Sequence, residues 1–424
     1  MTAPPHCDPA PATAPAHRLS GLALLVAVWG PGLLVMLADT DVGNIVTAAQ
    51  SGTRWGYRLL PLPLLLIPLL YMIQELTVRI GLFGGQGFGA LLRSRCGTTW
   101  AWLAAGALAL ATLSSMVTEF VGIAGVGEMY GATRWALLPL AALSLILLML
   151  SGEYRRVERI AVLIGAFELS FLVVACAAHP RLADVARDVA QQPLSDHGYL
   201  YLGAALIGAT FNPWMIFYQP SALAEKKLGA QHLRAARWDT AIGAALTQVL
   251  TAAVLVAAAA TLGATGSNAS LDGVGEISEA LTPFLGGTFG RLAFGAGAIG
   301  AAMVAAIVCS LAFAWGVGEL VGAGRAQPNA TLRRRWFVAV YAACVIGGAA
   351  LVLLAPNLIW LTISAQVVNA LLMPLVVGLL IVLTAAHLPP ARRLRGWYLW
   401  LVIAVASLTC LLGVFGGFSG IGLV

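Results

Sequence analysis

The chain has 424 residues, of which 60% are hydrophobic and 10% charged, with a mean hydropathy of +0.88. A soluble domain carries about 45–50% apolar and about 25% charged residues, so a soluble enzyme, a nucleic-acid module and a disordered scaffold are excluded. The net charge of +6 needs no acidic partner, because basic side chains collect on the cytoplasmic side of membrane proteins. Six cysteines stand singly with no CxxC spacing, which supports neither a disulfide framework nor a thiolate metal site.

Residues 1–19 are rich in Pro and Ala and lack a basic leader, so a disordered cytoplasmic tail is expected there. Eleven hydrophobic segments follow, with cores near 20–50, 57–80, 98–127, 134–150, 159–178, 199–224, 238–263, 290–320, 336–355, 358–386 and 397–418. Each approaches the ~20 helical residues that cross a bilayer core. With the N-terminus inside, 18 of the 24 Lys and Arg fall in cytoplasmic segments and 6 outside. That asymmetry sets topology, and a wrong span count would scramble it. The expected fold is an all-α polytopic membrane protein of eleven transmembrane helices with a cytoplasmic N-terminus. Its core is a ten-helix unit over 20–386, joined by an eleventh helix at 397–418.

The first segment carries Asp39, Thr40, Asp41, Gly43 and Asn44 near its middle. A charge at the bilayer centre costs at least ~2.5–3.5 kcal/mol, so these carboxylates are expected to face a cavity or a partner. The sixth segment reads Gly208, Ala209, Thr210, Phe211, Asn212, Pro213. Proline removes a backbone donor and crowds the preceding turn, and carbonyls freed at that depth must line a cavity or be held by protein. These two segments open the halves 20–178 and 199–386. Interruptions at matching positions of two halves indicate an inverted-repeat transporter with its substrate near the midplane.

The converging groups are Asp41, Asn44, Asn212 and an unwound carbonyl, that of Ala209. All are oxygen donors, and none of the six histidines falls in a span. Such ligands suit hard cations such as Mg²⁺ and Mn²⁺. Asp39 adds either a ligand or only its field. The expected partners are the divalent ion, as transported substrate, and the lipid bilayer. No cofactor, nucleic acid or obligate protein partner is expected.

The motifs resemble those of the natural-resistance-associated macrophage protein (Nramp) family, proton-coupled importers of Mn²⁺ and Fe²⁺ with a leucine-transporter-type 5+5 inverted repeat. Asp41-Val42-Gly43-Asn44 is similar to the family's Asp-Pro-Gly-Asn, and Gln74 to Gly81, Gly152 to Arg159 and Arg237 to Ile242 are similar to further family stretches. Ser364-Ala365-Gln366-Val367-Val368 resembles the family's Ser-Gln-Val-Val, which implies that Gln366 faces the metal. The resemblance covers spans one to ten and implies a multi-pass protein of a bacterial-type inner membrane.

The departures bear on selectivity. Where the family has Met-Pro-His, this chain has Asn212-Pro213-Trp214, so a soft sulfur ligand and a titratable imidazole are both gone. By ligand softness that weakens selection against Mg²⁺, as in the Nramp-related branch that transports Mg²⁺. Span three has Glu119 and then Gly122, one carboxylate short of the family's proton route. The reading is therefore import of Mg²⁺ or Mn²⁺ by alternating access with weak or no proton coupling. Glu119, Asp39 and Trp214 are further candidates for the ion or proton pathway, and Trp214 either narrows the route or fills the space left by His.

Glu168 and Asp239 are expected to form structural ion pairs or caps, and Glu75 and Arg79, four apart on one helix face, are expected to pair. Asp272, Glu276 and Glu279 read as a solvated acidic loop. An enzyme is not expected, because Asp39 and Asp41 share one segment and no span holds a His base. A channel needs no pair of broken helices. An amino acid carried with Na⁺ on the same fold would bring a carboxylate against Asp41. A sensor that has lost transport and a proton-coupled Mn²⁺/Fe²⁺ symporter are the remaining alternatives.

Overall fold

The computed structural model describes residues 30–150, 154–261, 277, 287–322, 330–354 and 358–420. The N-terminal tail, the start of the first segment and the Asp272, Glu276 and Glu279 cluster lie outside them. Among the described residues the chain is helical between short turns, with no strand.

The first crossing is a pair of half-helices, α1 (Pro31–Leu37) and α2 (Val42–Trp55), bent by 48°. Then come α3 (Pro61–Arg79), the short α4 (Phe88–Cys96), α5 (Thr98–Met129) and α6 (Arg134–Leu150). The fifth crossing runs through α7 (Tyr154–Gly165), a 3₁₀ turn over Ala166–Leu169 and α8 (Ser170–Ala177). A short helix, α9 (Leu182–Ala190), bridges the halves. The second half comprises α10 (His197–Thr210), α11 (Pro213–Glu225), α12 (Leu233–Thr261), α13 (Gly287–Val321), α14 (Ala330–Leu354) and α15 (Leu358–Val382). The last helix is α16 (Gly396–Gly420).

Nine helices among the described residues are long and apolar enough to cross a membrane, ten with the bent α1–α2 pair. The shorter apolar helix α6, at 17 residues, completes the eleven segments of the sequence reading.

The halves exchange partners reciprocally. The broken α1–α2 packs on α12, the second crossing of the other half, while the broken α10–α11 packs on α3. The third crossings α5 and α13 pack on each other; α5 then meets α15, and α13 meets α7 and α8. This exchange is what a two-fold axis between two five-helix repeats produces, so the 5+5 architecture is visible in the packing. Large apolar side chains left exposed, such as Trp135, Leu140 and Leu147 on α6 and Trp397, Trp400 and Leu411 on α16, lie on the outermost helices. In a bilayer, exposed apolar surface of this kind meets lipid. The polar groups are gathered instead around the two helix breaks at the centre.

Candidate metal site

The first break has a local cause. Asp41 is extended (φ −71°, ψ 170°) and its Oδ1 accepts the Asn44 backbone N–H at 2.6 Å, capping α2. Aspartate favours such a position because its carboxylate competes for backbone donors that a continuing helix would use. The Asn44 side chain donates to the Asp39 carbonyl at 3.0 Å and accepts from the Thr251 hydroxyl at 3.1 Å, tying the unwound turn to α12. Glu119 of α5 supplies another acceptor, taking the Val42 N–H at 3.4 Å and the Thr118 hydroxyl at 3.0 Å. Both carboxylates therefore sit at the N-terminus of α2, where the helix dipole favours negative charge. Two glycines make the approach possible. A Cβ on Gly122 would meet Val42 Cγ1 at 2.7 Å, and one on Gly43 would run into the Gln366 amide nitrogen.

The second break follows from Pro213, which stands at the first position of α11, where a missing N–H costs nothing. Asn212 just before it makes no capping bond to α11, so its amide is free to reach across the gap. Its Nδ2 donates to Asp39 Oδ1 at 3.2 Å and to the Ala209 carbonyl at 3.0 Å. Its Oδ1 accepts from Asn369 Nδ2 at 2.6 Å and from the Ser115 hydroxyl at 3.4 Å. Asn369 Nδ2 also donates to Gln366 Oε1 at 3.1 Å. Trp214 is fully buried, and its indole N–H reaches Ser115 Oγ at 3.1 Å.

The fold thus gathers Asp39, Asp41, Asn44, Ala209, Asn212 and Gln366 between the two breaks, all buried, with Glu119 and Trp214 adjoining. Asp39 Oδ2, Asp41 Oδ2 and Asn369 Oδ1 are buried with no hydrogen-bond partner. Buried carboxylate oxygens left in this condition are costly, and a cation is the natural group to satisfy them. Among the described residues no three His, Cys, Asp or Glu side chains cluster to hold a metal ion. Any ion here would draw on two carboxylates, amides and a carbonyl.

One detail departs from the sequence reading. Asn212 turns its nitrogen, not its oxygen, towards Asp39 and Ala209. The orientation is dictated chemically, since both neighbours are pure acceptors and an oxygen there would face only oxygens. Sequence reasoning also passed over Asn369 and Ser115. Asn369 lies three residues after Gln366, one helical turn away on the same face, and that spacing was the available signal.

The other polar residues find varied partners. Asp239 caps α1, accepting the Gly32 N–H at 2.7 Å and the Leu33 N–H at 3.2 Å. Glu75 pairs with Arg79 at 2.8 Å, as expected, and also with Arg237. Glu168 sits buried in the 3₁₀ turn of the fifth crossing beside the Thr40 hydroxyl, and joins no ion pair among the described residues. The expected pair or helix-end cap at Glu168 is not seen there.

Comparison with known proteins agrees with this architecture. The family described as natural resistance-associated macrophage protein-like matches residues 32–419. A protein named divalent metal cation transporter MntH from Brucella suis biovar 1 is 26% identical over 379 residues, covering 85% of this chain and 80% of its own length. One of the same name from Chromohalobacter salexigens is 30% identical over 307 residues, covering 67% and 68%. The crystal structure of the Eremococcus coleocola manganese transporter, in complex with an aromatic bis-isothiourea substituted compound, superposes with a TM-score of 0.75 at 18% identity, over 97% of this chain and 90% of that one. At that identity the likeness speaks for the fold alone. With a family match over nearly the whole chain, and apolar helices packed around two facing breaks among the described residues, the chain belongs to the Nramp family, whose members are multi-pass membrane transporters and not enzymes.

Proposed function

We propose that this protein imports a hard divalent cation, Mg²⁺ or Mn²⁺, across a bacterial-type inner membrane by alternating access, with weak or no proton coupling. The observation that carries the reading is the pair of buried, unpartnered oxygens Asp39 Oδ2 and Asp41 Oδ2 between two helix breaks. No sulfur or imidazole is among the gathered residues, so the donor set is hard throughout. The relatives' name, divalent metal cation transporter, supports the substrate class.

In this reading the ion takes oxygens from Asp41, Asp39, the Ala209 carbonyl and the amides of Asn44, Asn212 and Gln366. Because each half contributes one broken helix to the site, rocking one half against the other exposes it to alternate sides. The inner half-helix α1 is held by Asp239, so inward opening must release that contact. Glu119 is engaged with Val42 N–H and Thr118, and Trp214 offers an indole donor that does not titrate. Neither arrangement resembles a relay of titrating groups, which supports weak coupling.

The test is uptake into proteoliposomes of Mg²⁺, Mn²⁺ and Ca²⁺ with internal pH recorded, alongside Asp41→Ala. Entry of Mg²⁺ and Mn²⁺ without acidification, abolished by Asp41→Ala, is the expected result. Mn²⁺ uptake that carries protons and ignores excess Mg²⁺ would mean a proton-coupled symporter and overturn the ligand-softness argument.

A further inference from the structure

We infer that Asn369 is a positioning residue of this transporter's ion site, acting as the hydrogen-bond partner that lets the Asn212 amide turn over when a cation binds. The inference rests on the reading of the Asp39–Asp41 cluster as the ion site. Asn212 Nδ2 bridges Asp39 Oδ1 at 3.2 Å and the Ala209 carbonyl at 3.0 Å. An amide NH₂ has two donors and no lone pair to offer, so in this orientation Asn212 cannot be a metal ligand. It competes with the cation instead, directing two N–H groups at oxygens that the ion needs.

For Asn212 to coordinate, the amide must rotate by half a turn, bringing Oδ1 to the ion and Nδ2 to the opposite side. A buried Nδ2 arriving there without an acceptor would forfeit a hydrogen bond inside a low-dielectric site. Asn369 provides that acceptor. Its Nδ2 now donates to Asn212 Oδ1 at 2.6 Å and to Gln366 Oε1 at 3.1 Å, while its own Oδ1 is buried and bonded to nothing. Turning both amides reverses the bond, with Asn212 Nδ2 donating to Asn369 Oδ1. Ser115 Oγ, 3.4 Å from Asn212 Oδ1, can serve either orientation because a hydroxyl both donates and accepts.

The turn also releases Gln366 Oε1 from Asn369 Nδ2, while the Gln366 amide nitrogen lies against Gly43, buried and without a partner. A single asparagine on α15 thus lets the Asn212 amide pass from a self-bonded to an ion-facing orientation. An ion able to draw amide oxygens out of this network is favoured over one that keeps its water.

Two measurements on the full-length protein test the inference. In the first, Mn²⁺ affinity is measured calorimetrically in detergent for wild type, Asn369→Leu and Asp41→Ala, with size-exclusion profiles to check folding. Asn369→Leu is expected to weaken Mn²⁺ binding roughly tenfold or more, the worth of one lost buried hydrogen bond. In the second, wild-type crystals are soaked in Mn²⁺ and the ion is located by its anomalous signal. The expected position is within coordination distance of the Asn212 amide, about 2.0–2.6 Å for an oxygen ligand, since only its oxygen can bind. Unchanged affinity in Asn369→Leu, or an ion beyond reach of Asn212, overturns the inference while Asp41→Ala still abolishes binding. Wild-type protein that binds neither Mn²⁺ nor Mg²⁺ would overturn the site itself. If Asn369→Leu does not fold, the ion position decides.

Discussion

Asp239 and Gly32 stand 207 positions apart, yet the carboxylate of one accepts the backbone N–H of the other at 2.7 Å. This bond caps a seven-residue half-helix that is too short to persist alone. A Cβ on Gly32 would lie 2.6 Å from Asp239 Oδ2 and 2.9 Å from Thr240 N, so glycine is required for the approach. Asp239→Ala is expected to remove about 1 kcal/mol of capping and to loosen α1. Hydrogen exchange over residues 32–37 should speed up in the variant, while exchange in α16 stays unchanged. Equal protection of α1 in both proteins would show that packing alone holds it.

Glu75 carries two arginines, Arg79 from its own helix and Arg237 from α12, and its side chain is only 2% exposed. Removing the shared acid takes the carboxylate from both cations, whereas removing Arg237 leaves the Arg79 pair intact. Glu75→Gln should therefore be the costlier change, with the ~3–5 kcal/mol of breaking a buried pair as its upper bound because the arginines left behind are partly solvated. Arg237→Ala should cost much less, because Arg237 is 38% exposed and solvent screens it. Thermal melts of the two variants in one detergent check the ranking.

Gly208 lets α10 lie directly on α15. An added Cβ would meet the Gln366 carbonyl and stand 2.9 Å from Ala370 N, both backbone atoms that cannot swing aside. Gly208→Ala should separate the helices that carry Asn212 and Gln366, costing about 1–3 kcal/mol as overpacking does and abolishing uptake. Gly378→Ala is the control on α15 itself, since nothing lies within 4 Å of its Cβ position. It should leave uptake intact and gain a few tenths to about 1 kcal/mol of helix propensity. Proteoliposome uptake and melting temperature together distinguish the two.

Trp214 places an indole, which does not titrate, beside Ser115 at the second break. Trp214→His puts an imidazole next to Ser115, which Trp214 now contacts at 3.1 Å. A histidine, whose unperturbed pKa is about 6.5, takes up positive charge on acidification, and that charge opposes a cation. Divalent-ion affinity should accordingly fall with acidification more steeply in the variant than in wild type. Isothermal binding curves measured across a pH series show it, and identical slopes would place Trp214 outside the field of the site.

Much of this protein was legible in its sequence, and the reason is the bilayer. A membrane helix must satisfy its own backbone and show apolar side chains to lipid, so length and hydropathy disclose each crossing. Departures from that rule are equally visible. Asp39, Asp41 and Pro213 stand out because each is locally incompatible with an unbroken apolar helix, and the two breaks with their oxygen donors could be read from those residues. The direction of each amide could not. Asn212 faces Asp39 with its nitrogen, and Asn369 holds its oxygen, because of groups that α1, α5 and α15 bring together over distances of 97 to 173 positions. Asp239 likewise left its neighbour Arg237 to Glu75 and turned to Gly32. Sequence periodicity records what each helix buries. Which atom of a polar side chain meets which partner is settled only when other helices arrive, since hydrogen bonds are directional and a buried donor takes whatever acceptor the packing supplies.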